Sequence, residues 1–273
     1  MLDPFFLGSA RYAVGVLLFI AILWITEGRR ALSYGGRFLP AAVYGLFGFT
    51  AFNTFVWWGL AYTRPEHASI IMALQTPMTA LAVWLTRGLR PAPFTTGCIA
   101  VAIGGVLLVV TRGNLSHAFE GGSLAGDLLV FLGSVSWVIY TMAGHHFSGW
   151  SPLRMTVLTC IPGTVGLLAI NLFTIANGYS VMPAFDQIWS VKWQLGYFVV
   201  FTVVFGVLGF NNGVKYLGAL NAMLMLTLIP VIVFSIEAWL GRSFAAIEIG
   251  GAAIVIGALA ANNLYLRRRR VRP

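Results

Sequence analysis

Charge is what this sequence has least of. Of its 273 residues only 9% are Asp, Glu, Lys or Arg, and eight are acidic, where a soluble domain carries about 25% charged residues. With 59% hydrophobic residues and a mean hydropathy of +0.85, the chain cannot dress a water-facing surface and reads as a membrane protein. The two cysteines, Cys98 and Cys160, both lie in apolar runs with no ligand-type neighbours at metal spacing, which excludes a disulfide framework and a metal site. No H-E-x-x-H, G-x-S-x-G or P-loop is present, so no cofactor is expected and an enzyme is disfavoured. Alternating ten-residue segments are missing, which argues against a transmembrane β-barrel. No basic stretch precedes the first apolar run and no small-residue cleavage site follows it, so it is not a cleavable signal.

What is present is a series of long apolar runs. Spans are predicted at 5–26, 39–61, 67–86, 94–111, 124–144, 153–175, 195–213, 217–240 and 245–266, most of them near the ~20 residues that a helix needs to cross the hydrocarbon core. The net charge of +9 is spread over the short loops between them and a closing RRRRVR (Arg267 to Arg272), the pattern of cytoplasmic span ends and not of a nucleic-acid surface. With that tail inside, twelve basic residues fall inside and five outside, Arg11 among the latter. The expectation is a protein of a bacterial inner membrane with a cytoplasmic C-terminus.

The chain also repeats itself. Pro77 to Gly104 and Pro230 to Gly257 align without a gap at a spacing of 153, with seven of 28 positions identical, most of them Pro or Gly. Ser151 onward likewise matches the opening segment from Asp3. This implies an all-α polytopic protein built as an inverted repeat of two five-helix halves, with ten helices natively. Nine are present and the first is expected to be missing. The halves run over 1–112 and 124–266, joined by an external linker at 113–123 and followed by a basic tail at 267–273. A longer external loop, Asn177 to Trp193, is expected to place Trp189 and Trp193 at the headgroup level.

This arrangement resembles the drug/metabolite transporter superfamily, and within it the EamA-type exporters. The residues that carry the resemblance are Tyr62 to Pro77, Tyr216 to Pro230, the Gly88 and Gly241 turns, and the Gly97–Gly104 and Gly250–Gly257 helices. The resemblance implies export of small metabolites, neutral and aromatic amino acids first among them, by alternating access around a central cavity. A broad drug exporter is the competing transport reading. A membrane enzyme or structural subunit is the alternative of a different class. The partners expected are a small-molecule substrate and membrane lipid, with the protein a monomer or homodimer.

Candidate residues follow from chemistry at span depth. Pro77 and Pro230 each remove a backbone hydrogen bond inside a span, as a paired hinge or as static kinks. Asn53, Gln75 and Asn211 are costly in hydrocarbon unless they face a cavity or a partner helix. GFTAFN (Gly48 to Asn53) echoes GVLGFN (Gly206 to Asn211) at a spacing of 158. Trp57, four residues from Asn53, and the pair Trp137 and Tyr140 offer aromatic faces with polar handles, for a pocket or for packing. Met78 and Met225, near the two prolines, would adapt to varied ligands or fill the core. Ala100 with Gly104, and Ala253 with Gly257, are small-residue pairs expected at helix contacts. His67 and Glu237 are the candidates for an ionisable relay, against the plainer reading of solvated helix ends.

Overall fold

The computed structural model describes residues 3–88, 90–111, 123–219, 222–223, 226 and 228–271. Most of the expected linker and Met225 lie outside the described residues. Nine longer helices are described: α1 Pro4–Glu27, α2 Phe38–Leu60, α3 Pro65–Arg87, α4 Pro93–Thr111, α5 Ser123–Thr141, α6 Pro152–Ala176, α7 Lys192–Leu217, α8 Leu228–Trp239 and α9 Ala246–Val271, with a short helix, Phe185–Ser190, in the loop expected at Asn177 to Trp193. Among the described residues seven helices are long and apolar enough to cross a membrane, and two more apolar stretches, Pro93–Val109 and Ile229–Trp239, are shorter. The span expected at 195–213 extends to Lys192–Leu217. Within that expected at 217–240, Ala219, Ala222 and Met223 are helical, and an unbroken helix is described from Leu228.

Helix starts follow the local chemistry. Asp3 caps α1 by accepting from the Phe5 and Phe6 amides, with Pro4 as the first helical residue. Ser151 caps α6 by accepting from the Arg154 amide, with Pro152 in the same place. A first-turn proline forfeits an N–H that the helix would not use. The sequence match between these two segments is therefore a match of helix starts.

The chain forms two compact units: Met1–Trp57 with Ile139–Tyr216, and Trp58–Val138 with Leu217–Pro273. Neither coincides with an expected sequence half.

In the first unit α1 packs along α6, and α6 packs along α2. Glycine makes the second contact close: a methyl at Gly45 would lie 2.0 Å from the Thr159 carbonyl oxygen, and one at Gly163 2.6 Å from that of Gly45. The Thr50 hydroxyl donates to the Gly163 carbonyl at 2.7 Å across the same seam. In the loop after α1, Tyr34 donates to the Leu158 carbonyl at 3.1 Å, and burial pushes its hydroxyl above the usual tyrosine range. It therefore remains a donor at neutral pH. Two stretches have π-helical hydrogen bonding, Leu46–Ala51 in α2 and Phe198–Val207 in α7. Such bulges recur at functional sites. They fall at the GFTAFN and GVLGFN echoes, just before Asn53 and Asn211.

In the second unit the main contact is α4 with α9. Gly105 and Gly251 meet backbone to backbone: a methyl on either would lie 2.9 or 2.8 Å from the other's carbonyl oxygen. Ala102, Val106 and Val109 of α4 interleave with Ala252, Val255 and Leu259 of α9, and Ile70, Ile71 and Leu74 of α3 join the same core. The expected small-residue pairs are corrected here. Ala100, Gly104, Ala253 and Gly257 face outward, and a methyl at Gly104 or Gly257 would meet nothing within 4 Å. One residue along a helix turns the side chain by about 100°, and the contact is made by the neighbouring glycine.

Candidate functional site

The first unit gathers four of the expected residues, Asn53, Trp57, Tyr140 and Asn211, and adds one, Arg11. Position 11 lies two turns into α1, and its side chain turns toward α2. Its Nη2 donates to Asn53 Oδ1 at 2.8 Å, and Asn53 Nδ2 in turn donates to the Phe49 carbonyl at 2.6 Å. The guanidinium stands 5.3 Å from the Trp57 ring centre and 5.1 Å from that of Tyr12, within cation–π range. Trp57 lies against Gly8, where a methyl would fall 1.5 Å from its ring, and meets Phe5 edge-on. Among the described residues no carboxylate lies within 4.0 Å of Arg11, and its Nε is buried without an acceptor. The electrostatic character is that of a cation held by neutral groups.

Deeper in the same unit Tyr140 is fully buried. Its ring packs over Gly48 and edge-on to Phe49, which meets Tyr12 in the same way. Asn211 Nδ2 donates to the Tyr140 hydroxyl at 2.7 Å and contacts Thr156 Oγ1 at 2.7 Å. These two residues therefore tie α5, α6 and α7 together. A chain of aromatic contacts runs from Arg11 through Tyr12 and Phe49 to Tyr140.

The second unit holds the remaining described candidates. Gln75 is buried and its Nε2 finds no acceptor among the described residues. The neighbouring Thr76 donates to the Met223 carbonyl at 3.1 Å. Met78 packs on the core and Trp137 is buried. α3 breaks at Leu74 and resumes at Gln75, so Pro77 is the third residue of its helical segment. There the missing N–H would have had no helical partner, and the interruption lies in the turn just before the proline. Pro230 is the third residue of α8 as described, and Leu226, the described residue before that helix, is in a turn.

The plain reading of His67 and its neighbours as solvated helix ends is corrected. Glu66, His67, Asp127 and Glu248 are all buried. Arg242 grips both oxygens of Glu66 at 2.7 and 3.0 Å and reaches Glu237 at 3.3 Å. Arg64 lies 3.9 Å from Glu248, whose other oxygen accepts from the Ala245 amide at 2.9 Å. His67 Nδ1 is 3.6 Å from Asp127 Oδ2, and the Thr63 hydroxyl donates to Asp127 Oδ1. Glu237 is 22% exposed, so of the two relay candidates His67 is the enclosed one. Sequence reasoning missed both Arg11 and the pairing of Glu66 with Arg242. The one available signal for Arg11 was its place on the face of a capped helix that also carries Gly8 and Tyr12.

The model of the EamA-like transporter family matches residues 1–111 and 124–264. Two proteins of Bacillus subtilis (strain 168), named as the uncharacterized transporters YrdR and YyaM, are each 29% identical to this chain. The first match covers 97% of the chain and 84% of the relative, the second 93% and 83%. A solved crystal structure at 20% identity aligns with a TM-score of 0.68 over 98% of this chain and 90% of its own, a likeness of fold. These matches make the protein a multi-pass bacterial membrane protein that transports small molecules, and not an enzyme.

Proposed function

Since the chain belongs to the EamA-like transporter family, we propose that it exports small amphipathic metabolites that are neutral overall, amino acids with aromatic or apolar side chains first among them. The observation that carries this reading is Arg11: a cation between two aromatic rings, anchored by Asn53, with no carboxylate beside it among the described residues. A guanidinium so placed suits a carboxylate, and Trp57 and Tyr12 suit an apolar or aromatic side chain. The same charge repels organic cations, which weighs against the drug-exporter reading. Tyr140 and Asn211 serve as the support beneath this surface, through the Phe49 contact. Gln75, Met78 and Trp137 are assigned to a separate contact surface within the second unit. Alternating access with Pro77 and Pro230 as paired hinges, the two inverted halves, and a cytoplasmic C-terminus in the inner membrane belong to the same proposal.

The test is solute counterflow with purified protein in liposomes, comparing phenylalanine with phenethylamine, which lacks the carboxylate. Phenylalanine exchanges and phenethylamine does not, and Arg11→Gln removes the difference. A charged hydrogen bond is worth about 1.5–3 kcal/mol, so the loss of phenylalanine exchange is roughly ten- to a hundredfold. Equal exchange of the two solutes by the wild type, or an unaffected Arg11→Gln, overturns the assignment.

A further inference from the structure

The second unit contains a charged cluster, with Glu66, His67, Asp127 and Glu248 buried and Arg64, Glu237 and Arg242 reaching the surface, that solute binding at Arg11 does not use. Its members come from every element around it: Arg64, Glu66 and His67 on α3, Asp127 on α5, Glu237 on α8, Arg242 in the turn after it, and Glu248 on α9. Four carboxylates face two guanidiniums among the described residues, so with a neutral histidine the cluster carries excess negative charge. The two guanidiniums are committed. Arg242 is shared by Glu66 and Glu237, and Arg64 lies beside Glu248. Among the described residues Asp127 is left with a threonine hydroxyl on one oxygen and no hydrogen-bond partner on the other.

His67 faces that second oxygen. It is 4% exposed, and neither ring nitrogen has a hydrogen-bond partner among the described residues. A neutral imidazole there leaves both a donor and an acceptor unsatisfied, which is costly in a buried site. A proton on the ring puts an N–H on each nitrogen, supplies the missing positive charge, and lets Nδ1 close the 3.6 Å gap to Asp127. Thr63, in the bend just before α3, and His67, in the first turn of α3, reach the same carboxylate. Protonation therefore tightens α3 onto α5. The segment of α3 so clamped, Pro65–Ala73, ends at the Leu74 break that precedes Pro77.

We propose that the His67–Asp127 pair binds one exchangeable proton, and that its uptake and release couple solute export to the proton gradient. One proton from the side of higher proton concentration adds to a His67 ring nitrogen. It leaves to the other side as the solute moves in the opposite direction. The coupling rests on the transport reading, whereas proton binding at His67 does not.

Two measurements test the parts separately. Nuclear magnetic resonance of ring-labelled histidine in the wild-type protein, in detergent, follows proton binding with no solute and no substitution. One of the four histidine rings is expected to change protonation with its signal moved by Asp127→Asn, and that signal is missing in His67→Gln. A His67 ring that never takes up a proton across the stable pH range overturns the site. In liposomes, a pH gradient is expected to drive phenylalanine accumulation by the wild type. His67→Gln loses that accumulation while retaining counterflow, which needs no net proton movement. Gradient-driven accumulation that survives in a folded His67→Gln overturns the coupling, as does wild-type counterflow that no pH gradient can drive. Absence of wild-type counterflow together with a titrating His67 counts against the solute reading and leaves the proton site standing.

Discussion

Replacing Arg242 by glutamine is expected to cost more than replacing either of its carboxylate partners. Glu66 is fully buried and takes two guanidinium contacts, at 2.7 and 3.0 Å. Removing the arginine strands a carboxylate with no water to turn to, a loss of about 3–5 kcal/mol for a buried pair broken on one side. The reverse change, Glu66→Gln, leaves Arg242 with Glu237 and with access to water, since its side chain is 29% exposed. Its cost is that of a lost charged hydrogen bond, about 1.5–3 kcal/mol. Glu237→Gln removes a partner that is itself 22% exposed and costs at most about 1 kcal/mol. The double variant Glu66→Gln with Arg242→Gln removes both charges and recovers part of the Arg242→Gln loss, so the double-mutant cycle shows a favourable coupling. The assay is unfolding in mixed micelles at rising denaturing-detergent fraction, followed by tryptophan fluorescence. An Arg242→Gln protein as stable as the wild type, or a double variant less stable than Arg242→Gln alone, would refute the reasoning.

Three further outcomes follow from the packing and the site. Gly45→Ala places a methyl 2.0 Å from a backbone oxygen that cannot move aside, and costs at least about 1–3 kcal/mol in the same unfolding assay; Gly104→Ala, which meets nothing within 4 Å, is not destabilising and gains up to about 1 kcal/mol of helix propensity. Asn211→Leu removes a donor from both the Tyr140 hydroxyl and Thr156 and destabilises by about 1–3 kcal/mol, whereas Asn211→Asp, which loses both donated bonds and can accept from the Tyr140 hydroxyl but not from Thr156, whose hydroxyl already donates to the Pro152 carbonyl, costs at least as much. Pro77→Ala, which restores a backbone donor at the Leu74 break, is expected to slow exchange in counterflow while leaving the apparent solute affinity unchanged; a rate equal to wild type would remove Pro77 as a hinge.

Much of this was legible in residue order, and the parts that were not share a cause. Proline, asparagine and aromatic side chains announce themselves at span depth, because hydrocarbon penalises a free polar group whatever its partner turns out to be. Asn53, Trp57, Tyr140 and Asn211 were therefore each visible as candidates, but so were Gln75, Met78, Trp137 and Met225, and nothing in residue order separates the two groups. Their partners were not visible. Asn211 is occupied by two hydroxyls on other helices, and only the packing decides that. Arg11 counted as an outer-loop charge because the positive-inside rule weighs loops and says nothing about which way a side chain near a helix start turns. Glu66 and His67 have the same sequence neighbours whether they face water or Arg242 and Asp127. The small-residue stripes were recognised as the closest backbone approach but assigned to the wrong faces, because Gly104 has a small residue four positions before it, whereas Gly105, which makes the contact, has valines four positions to either side. The division into compact units, which interleaves stretches from early and late in the chain, has no local signal at all.

The most direct test of the account is phenylalanine counterflow into liposomes holding the purified protein and preloaded with unlabelled phenylalanine. Labelled phenylalanine is predicted to accumulate transiently above its level in protein-free liposomes, and the overshoot is predicted to disappear when the preload is omitted. No accumulation of phenylalanine, of other apolar amino acids or of organic cations would contradict the account and leave the chain without a solute to carry.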